Sequence, residues 1–383
     1  MKMLRFFWIF LAVLSLQLSG CGDKHGPDLP PPSYKPGDET DPSGEDDPPG
    51  GGGEEGGPTN PWDANRGKIV TPSGAGWTIR KVREGITYYY YSGRDEILNQ
   101  LQHVHAVDID LSNPGYAVKL TYDNTALATS EAHTKYNSIA TINAGYEAGS
   151  IYIRSCAVNG TFLEKGQDKS SLPNTSIGTT GVRNWKSEAG FFGDGERGLS
   201  IKKAEELIRP YMSPELDEMS TYIRKQRNFY LADKTSKDVL SSSPMLIDDF
   251  NPVGETFINY SITNWESVES TEEPQYHQRK EHPRTAIALT ENNHFIMLVV
   301  DGRQKSKGMY GMSAKALTRF LVTNFNPQYA LNLDGGGSTS MCVSGLPDGD
   351  YVDQARFLVD SPIQDNEPGK ERPRDTHLII IEK

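Results

Sequence analysis

The chain has 383 residues, 36% of them hydrophobic and 23% charged, with a formal net charge of −12 at pH 7. That balance suffices for a substantial buried core and argues against nucleic acid as a partner, because a polyanion is held by clustered basic residues. Three cysteines and eight scattered histidines, without paired Cys/His spacing, argue against a zinc enzyme.

Lys2 and Arg5 precede an apolar run from Phe6 to Leu18. The run is too short to span a hydrocarbon core of roughly 30 Å, and it reads as the h-region of a signal peptide over residues 1–20. Leu18-Ser19-Gly20-Cys21 resembles a lipobox, so Cys21 is expected to be lipidated and to become the mature N-terminus. Residues 21–75 are expected to form a disordered tether. Positions 22–66 hold ten Pro, ten Gly and eleven Asp or Glu against three Lys or Arg, a composition that cannot offset its own ordering entropy. The tether accounts for −8 and the leader for +2, so only −6 belongs to residues 67–383. An anionic ligand must then be held by local arginines rather than by a global field. The expected location is the bacterial cell envelope, reached by export and lipid-anchored at the outer membrane. The lipid is the only expected membrane contact, and the body is expected to be a monomer.

Residues 76–383 carry no second linker and no repeat, which fits one large domain. Thr87 to Tyr91 reads as a strand. Val104 to Leu111 and Tyr116 to Thr121, separated by Ser112-Asn113-Pro114-Gly115, read as an antiparallel pair joined by a turn. Ile139 to Ala144 is another strand, and Ala157 to Phe162 a hairpin around Asn159-Gly160. Residues 200–230 read as helical, with Ile201, Ala204, Leu207 and Ile208 on one face. Ser313 is a good N-cap for a helix carrying Ala316, Leu317, Phe320, Leu321 and Phe325, ended by Asn326-Pro327. Thr285 to Leu289, Phe295 to Val300, Tyr329 to Leu333 and Leu378 to Ile381 complete the strands. The expected class is α+β, a mixed and largely antiparallel sheet with flanking helices. Cys156 and Cys342 fit either a disulfide or two separate buried thiols.

Three polar clusters stand where apolar strands begin or end: His282-Pro283-Arg284, Asp301-Gly302-Arg303, and Asp334-Gly335-Gly336-Gly337-Ser338-Thr339. Strand ends present side chains to a crevice. Arg284 and Arg303 offer planar forks for phosphate or carboxylate, and Asp301 with Asp334 is a candidate carboxylate pair. The glycine N–H groups, with the Ser338 and Thr339 hydroxyls, are expected to form an anion-binding concavity. No Lys precedes Ser338, so this is not a nucleotide P-loop.

These segments, together with Gly311-Met312-Ser313 and Ala330-Leu331-Asn332-Leu333, resemble the phosphodiester glycosidase family in order and spacing. Ile142-Asn143-Ala144-Gly145-Tyr146, Ser243-Pro244-Met245-Leu246 and Glu371-Arg372-Pro373 are similar to further family segments, and the resemblance extends over about residues 100–383. Glu147, Ser242-Ser243 and Thr376-His377 depart from the family pattern. The resemblance implies hydrolysis of an α-linked sugar-1-phosphodiester, of the N-acetylglucosamine-1-phosphodiester type, at the anomeric C–O bond. Asp301 or Asp334 would attack C1 or activate water, Asn143 would bind a sugar hydroxyl, and Arg372 would be a third cation. No cofactor is required, and no divalent metal is indicated. Two alternatives compete: a non-catalytic surface module for anionic glycans, and a metal-assisted phosphoesterase using Asp301, Asp334 and Glu147.

Overall fold

Strands β13 (Arg284–Leu289) and β14 (His294–Val300) are antiparallel neighbours whose side chains are buried almost without exception. Because successive side chains point to opposite faces, such strands require an apolar layer on each side. Ile287, Leu289, Phe295, Met297 and Val299 enter one core, and Ala286, Ala288, Ile296, Leu298 and Val300 enter the other. The computed structural model that shows this describes residues 63–146, 155–163, 186, 188–204, 229–230, 232–268 and 274–383.

The main sheet has eight strands in the order β1 (Trp77–Arg83), β2 (Ile86–Arg94), β3 (Leu101–Asp110), β14, β13, β15 (Tyr329–Asn332), β11 (Met245–Asp248) and β12 (Asn251–Pro252). A four-stranded sheet runs β16 (Met341–Val343), β5 (Ala140–Asn143), β19 (Arg374–Glu382), β4 (Tyr116–Leu127). A five-stranded sheet runs β7 (Thr161–Phe162), β6 (Cys156–Val158), β10 (Asp238–Ser242), β8 (Ala189–Gly193), β9 (Leu199–Lys203). A short ribbon pairs β17 (Ile363–Gln364) with β18 (Glu367–Pro368). Every pairing between these strands is antiparallel.

The described helices are α1 (Thr129–Lys135), α2 (Trp265–Val268), α3 (Pro274–Arg279) and α4 (Ala314–Asn324). Helix α4 closes one core with Ala314, Ala316, Leu317, Phe320 and Leu321, while the smaller sheets close the other with residues such as Val118, Ile142, Phe191, Met341 and Leu378. The Ser313 hydroxyl accepts from the Ala316 N–H at 3.2 Å, so the expected cap opens α4. The class is α+β, as expected. The Asn159-Gly160 hairpin also forms, with both residues at positive φ (50° and 77°), the combination a type I′ turn demands.

Two expectations are corrected. The segments on either side of Ser112-Asn113-Pro114-Gly115 do not pair with each other. β3 pairs with β2 and β14, whereas β4 pairs with β19 in a different sheet. Besides its neighbour β2, β3 pairs along its length with β14, and β4 pairs with β19, partners far along the chain that a local turn signal cannot reveal. Residues 199–203 are strand β9 rather than the start of a helix, with Ile201 facing the core; most of the remaining supposed helix lies outside the described residues. Cys156 and Cys342 are both buried and are not joined in a disulfide, which decides between the two readings of that pair. Cys342 lies in β16, where burial pushes its thiol pKa up and keeps it protonated.

Candidate functional site

The register of the main sheet gathers the three polar clusters. β13 runs antiparallel to both neighbours, so its first residues lie beside the last residues of β14 and β15. Arg284 is opposite Val300, and Ala286 is opposite Asn332. The loops beyond those strands then press on one proline. A Cβ added to Gly302 would lie 2.9 Å from Pro283 N and 2.5 Å from the Tyr310 carbonyl, and one added to Gly335 would lie 2.7 Å from Pro283 O. Backbones at that separation leave room only for glycine. The Gly336 N–H donates to Pro283 O at 2.8 Å, fastening the third loop to the first.

Above this junction opens a cleft of about 420 Å³. Its lining includes Arg284, Arg303, Asp334 and Gly335 to Gly337, all expected, together with Arg372. Arg284 is 3% exposed at the cleft floor. Its Nε donates to Met312 O at 2.8 Å, and its Nη2 donates to His277 O and Lys280 O at 2.6 and 2.7 Å. Nη1 has no protein acceptor among the described residues, and no carboxylate balances the charge. Burial accordingly lowers the Arg284 pKa to about 10. Arg303, held at φ 58°, extends into the cleft a guanidinium that has no hydrogen-bonding partner among the described residues. Arg372 uses Nε on Gln364 Oε1 at 2.5 Å and keeps its terminal nitrogens near Gly337. Desolvation and the like charge of Arg372 lower the Arg303 pKa, and Asp334 opposes that effect.

Asp334 is the single carboxylate among the described residues that line the cleft. Its backbone is clamped from β5: its N–H donates to Ala144 O at 3.1 Å, and its carbonyl accepts from Asn143 Nδ2 at 2.6 Å. Its Oδ2 lies 3.0 Å from Arg374 Nε, whose N–H is aimed at Ser338 Oγ 2.7 Å away.

Four other expected site residues have different surroundings. Asp301, 2% exposed, is absent from the cleft lining. Its Oδ1 accepts from the Ser361 N–H at 3.0 Å, and its Oδ2 lies 3.9 Å from both His103 Nδ1 and His105 Nε2. The expected carboxylate pair is therefore not assembled across the cleft. Asn143 is fully buried and spends its amide on Asp334 O, Thr285 Oγ1 and Ser340 N, so it shapes the loop instead of facing a ligand. Ser338 and Thr339 turn inward, Ser338 accepting from Arg374 and the Thr339 hydroxyl lying 3.4 Å from that of Thr285. Of the three glycine N–H groups expected to form the cradle, that of Gly336 is committed to Pro283 O, while the Ser338 and Thr339 N–H groups close the turn on Gly335 O and Gly336 O.

The cleft also contains Tyr146, Lys186, Tyr276, His277, His282 and Arg374, to which the sequence reading assigned no role. Lys186 Nζ sits 4.3 Å from the centre of the Tyr146 ring. Burial, then the positive charge of Arg284 and Arg303, lowers the His282 pKa to about 2, so this imidazole stays neutral. Arg374 had a visible signal: it lies two residues after Arg372, and residues two apart share a face of an extended segment.

A family model described as phosphodiester glycosidase matches residues 152–381, a shorter stretch than the motif resemblance and one that omits Asn143. No curated protein matches the chain in sequence. One similar solved structure is the catalytic domain of zebrafish N-acetylglucosamine-1-phosphodiester alpha-N-acetylglucosaminidase, auto-inhibited by its pro-peptide. It is 15% identical, with a TM-score of 0.50, over 82% of this chain and 87% of that one. Another is a Burkholderia pseudomallei protein described as exported, 11% identical with a TM-score of 0.51, over 82% of this chain and 98% of that one. At such identities the structural likeness speaks for a shared fold. The family match covers more than half of the sequence, and the chain belongs to the phosphodiester glycosidase family.

Proposed function

We propose that this protein hydrolyses an α-linked sugar-1-phosphodiester, breaking the anomeric C–O bond to give free sugar and a phosphomonoester. The observation that carries the proposal is the charge of the cleft. Three guanidinium groups with unfilled donors (Arg284 Nη1, Arg303 and the terminal nitrogens of Arg372) surround one carboxylate, and a buried cation without a carboxylate partner is costly unless a ligand supplies the anion. A phosphodiester supplies it. As the C–O bond breaks, negative charge grows on the departing phosphate, where each well-aimed donor contributes roughly 3–4 kcal/mol. A phosphomonoester departs readily as an anion, so a general acid is needed less than for an ordinary glycoside. Asp334, whose Oδ2 lies beside Arg374 Nε, attacks C1 or takes a proton from the attacking water. The N-terminal leader and Cys21 support an exported, lipid-anchored enzyme of the cell envelope.

The test is incubation with UDP-N-acetylglucosamine, or with an N-acetylglucosamine-phospho-mannose compound, in heavy-oxygen water. Mass spectrometry should find free sugar carrying the label and unlabelled phosphomonoester. Label in the phosphate would mean P–O cleavage and a phosphoesterase. Saturable binding with no product would leave a glycan-binding module.

A further inference from the structure

The β17–β18 ribbon brings a neutral side chain, Gln364, against one of the cations of the cleft. Its turn is Asp365-Asn366, both at positive φ (56° and 63°), the type I′ combination that joins two strands tightly. Ile363 is 4% exposed and anchors the ribbon, and alternation along the strand sends Gln364 to the opposite face. The Gln364 N–H donates to Lys370 O at 3.1 Å and the Gly369 N–H to Pro362 O at 2.8 Å, which holds the backbone in place. The amide is oriented from both ends. Its Oε1 accepts from Arg372 Nε at 2.5 Å, and its Nε2 donates to Asp365 Oδ1 at 2.6 Å. A flipped amide would set donor against donor at Arg372 and acceptor against acceptor at Asp365.

The Gly-rich turn completes the arrangement. A Cβ on Gly336 would lie 2.8 Å from Arg303 Nη2, and one on Gly337 would lie 2.6 Å from Arg372 Nη2 and collide with Gln364 Oε1. Gly337 is not in the left-handed region, so what glycine supplies there is the space above the backbone. Two guanidinium ends therefore lie on successive glycines, like charges side by side, and a ligand anion offsets their repulsion. Among the described residues no carboxylate pairs with Arg372, whose acceptor is the Gln364 amide oxygen. A carboxylate at position 364 would hold Nε more strongly, but it would cancel the charge. An amide oxygen fixes the direction of the guanidinium and leaves its full charge for a ligand. We propose that Gln364 is a positioning residue that aims Arg372 at the substrate phosphate without neutralising it, with Gly337 as the surface on which the pair lies.

The inference rests on the sugar-phosphodiester reading for the identity of the anion, but binding of inorganic phosphate is measured without turnover. The main variant is the charge-neutral exchange of Gln364→Glu together with Asp365→Asn, which moves one carboxylate from the far side of the amide to Arg372 Nε. Asparagine tolerates the positive φ at position 365, so the urea midpoint should stay close to that of the wild type. Calorimetry should find phosphate binding weakened roughly tenfold, as for a unit charge a few ångströms from an anion near a protein surface. The KM for a sugar phosphodiester should rise in step. Gln364→Ala should weaken phosphate binding several-fold, yet add nothing in an Arg372→Ala background, because a positioning residue acts only through the group it aims. Wild-type affinity in the folded exchange variant would overturn the proposal. So would an equal loss from Gln364→Ala with and without Arg372, which would make Gln364 a ligand group itself. A wild type that binds no phosphate would overturn it as well. Phosphate binding that follows the expected pattern, with no turnover of any sugar phosphodiester, would instead sink the glycosidase reading and leave the role of Gln364 standing.

Discussion

The two sides of the Pro283 junction differ sharply in charge. Toward the cleft, Arg284, Arg303, Arg372 and Arg374 gather around Asp334. Behind it, Asp301 and Asp360 are buried with His105 and Tyr88, beside the half-buried His103: Tyr88 Oη is 2.8 Å from His105 Nδ1, and Asp360 Oδ1 accepts from the Met341 N–H at 2.9 Å. Burial, then the charge of Asp301, holds the Asp360 pKa well above the carboxylate range, so the back of the junction keeps one of its two acids neutral. The tripeptide Asp301-Gly302-Arg303 divides its own charges between the two sides, acid inward and base outward. A carboxylate next to the cleft is therefore not automatically a carboxylate in it. The loops are built so that an arriving anion meets guanidinium groups first.

The largest effect that would test this division is at Asp334. Asp334→Asn removes the charge but keeps the shape, and it should lower kcat by roughly 10⁴-fold while leaving the urea midpoint close to that of the wild type. A variant that keeps wild-type turnover would move the chemistry elsewhere. Next comes Arg303→Ala. Because this guanidinium has no hydrogen-bonding partner among the described residues, its removal should change stability by no more than about 0.5 kcal/mol. Loss of one phosphate donor should nevertheless lower kcat/KM by roughly 10²- to 10³-fold. Equal losses of stability and activity would mean that Arg303 serves the fold rather than the ligand.

What the sequence revealed follows the same line between local and distant causes. The Asn159-Gly160 hairpin and the Ser313 cap were legible because each is specified within a few residues. The partner of β4 was not, because β19 lies some 260 residues further on and is chosen by matching apolar faces. Ile201 and Ala204 lie three apart, a spacing that fits a helix, and only the neighbouring β8 makes Leu199–Lys203 a strand. In the site, residue types at strand ends pointed to the right loops, since register fixes which ends meet. They could not give side-chain direction: Asp301 and Asn143 read like ligand groups, yet both point into the packed interior.

The smallest expected change in activity belongs to Asp301→Asn, and it is the most direct probe of the division between front and back. Asparagine keeps an acceptor for the Ser361 N–H, so the 357–361 loop can stay in place. Removing the charge takes away the Coulombic push that Asp301 exerts on Asp360, whose pKa should fall toward the ordinary carboxylate range. It also removes the one interaction that raises the His103 pKa against burial, so this imidazole should lose its proton at still lower pH, which NMR titration of the ring can follow. These changes remain behind the junction. The kcat/KM should therefore move by less than about tenfold, roughly 1.4 kcal/mol in the barrier. A loss as deep as that of Asp334→Asn, in a protein with an unchanged urea midpoint, would mean that the Asp301 carboxylate reaches the substrate, and the sorting of charge between the two sides could not then be what organises the site.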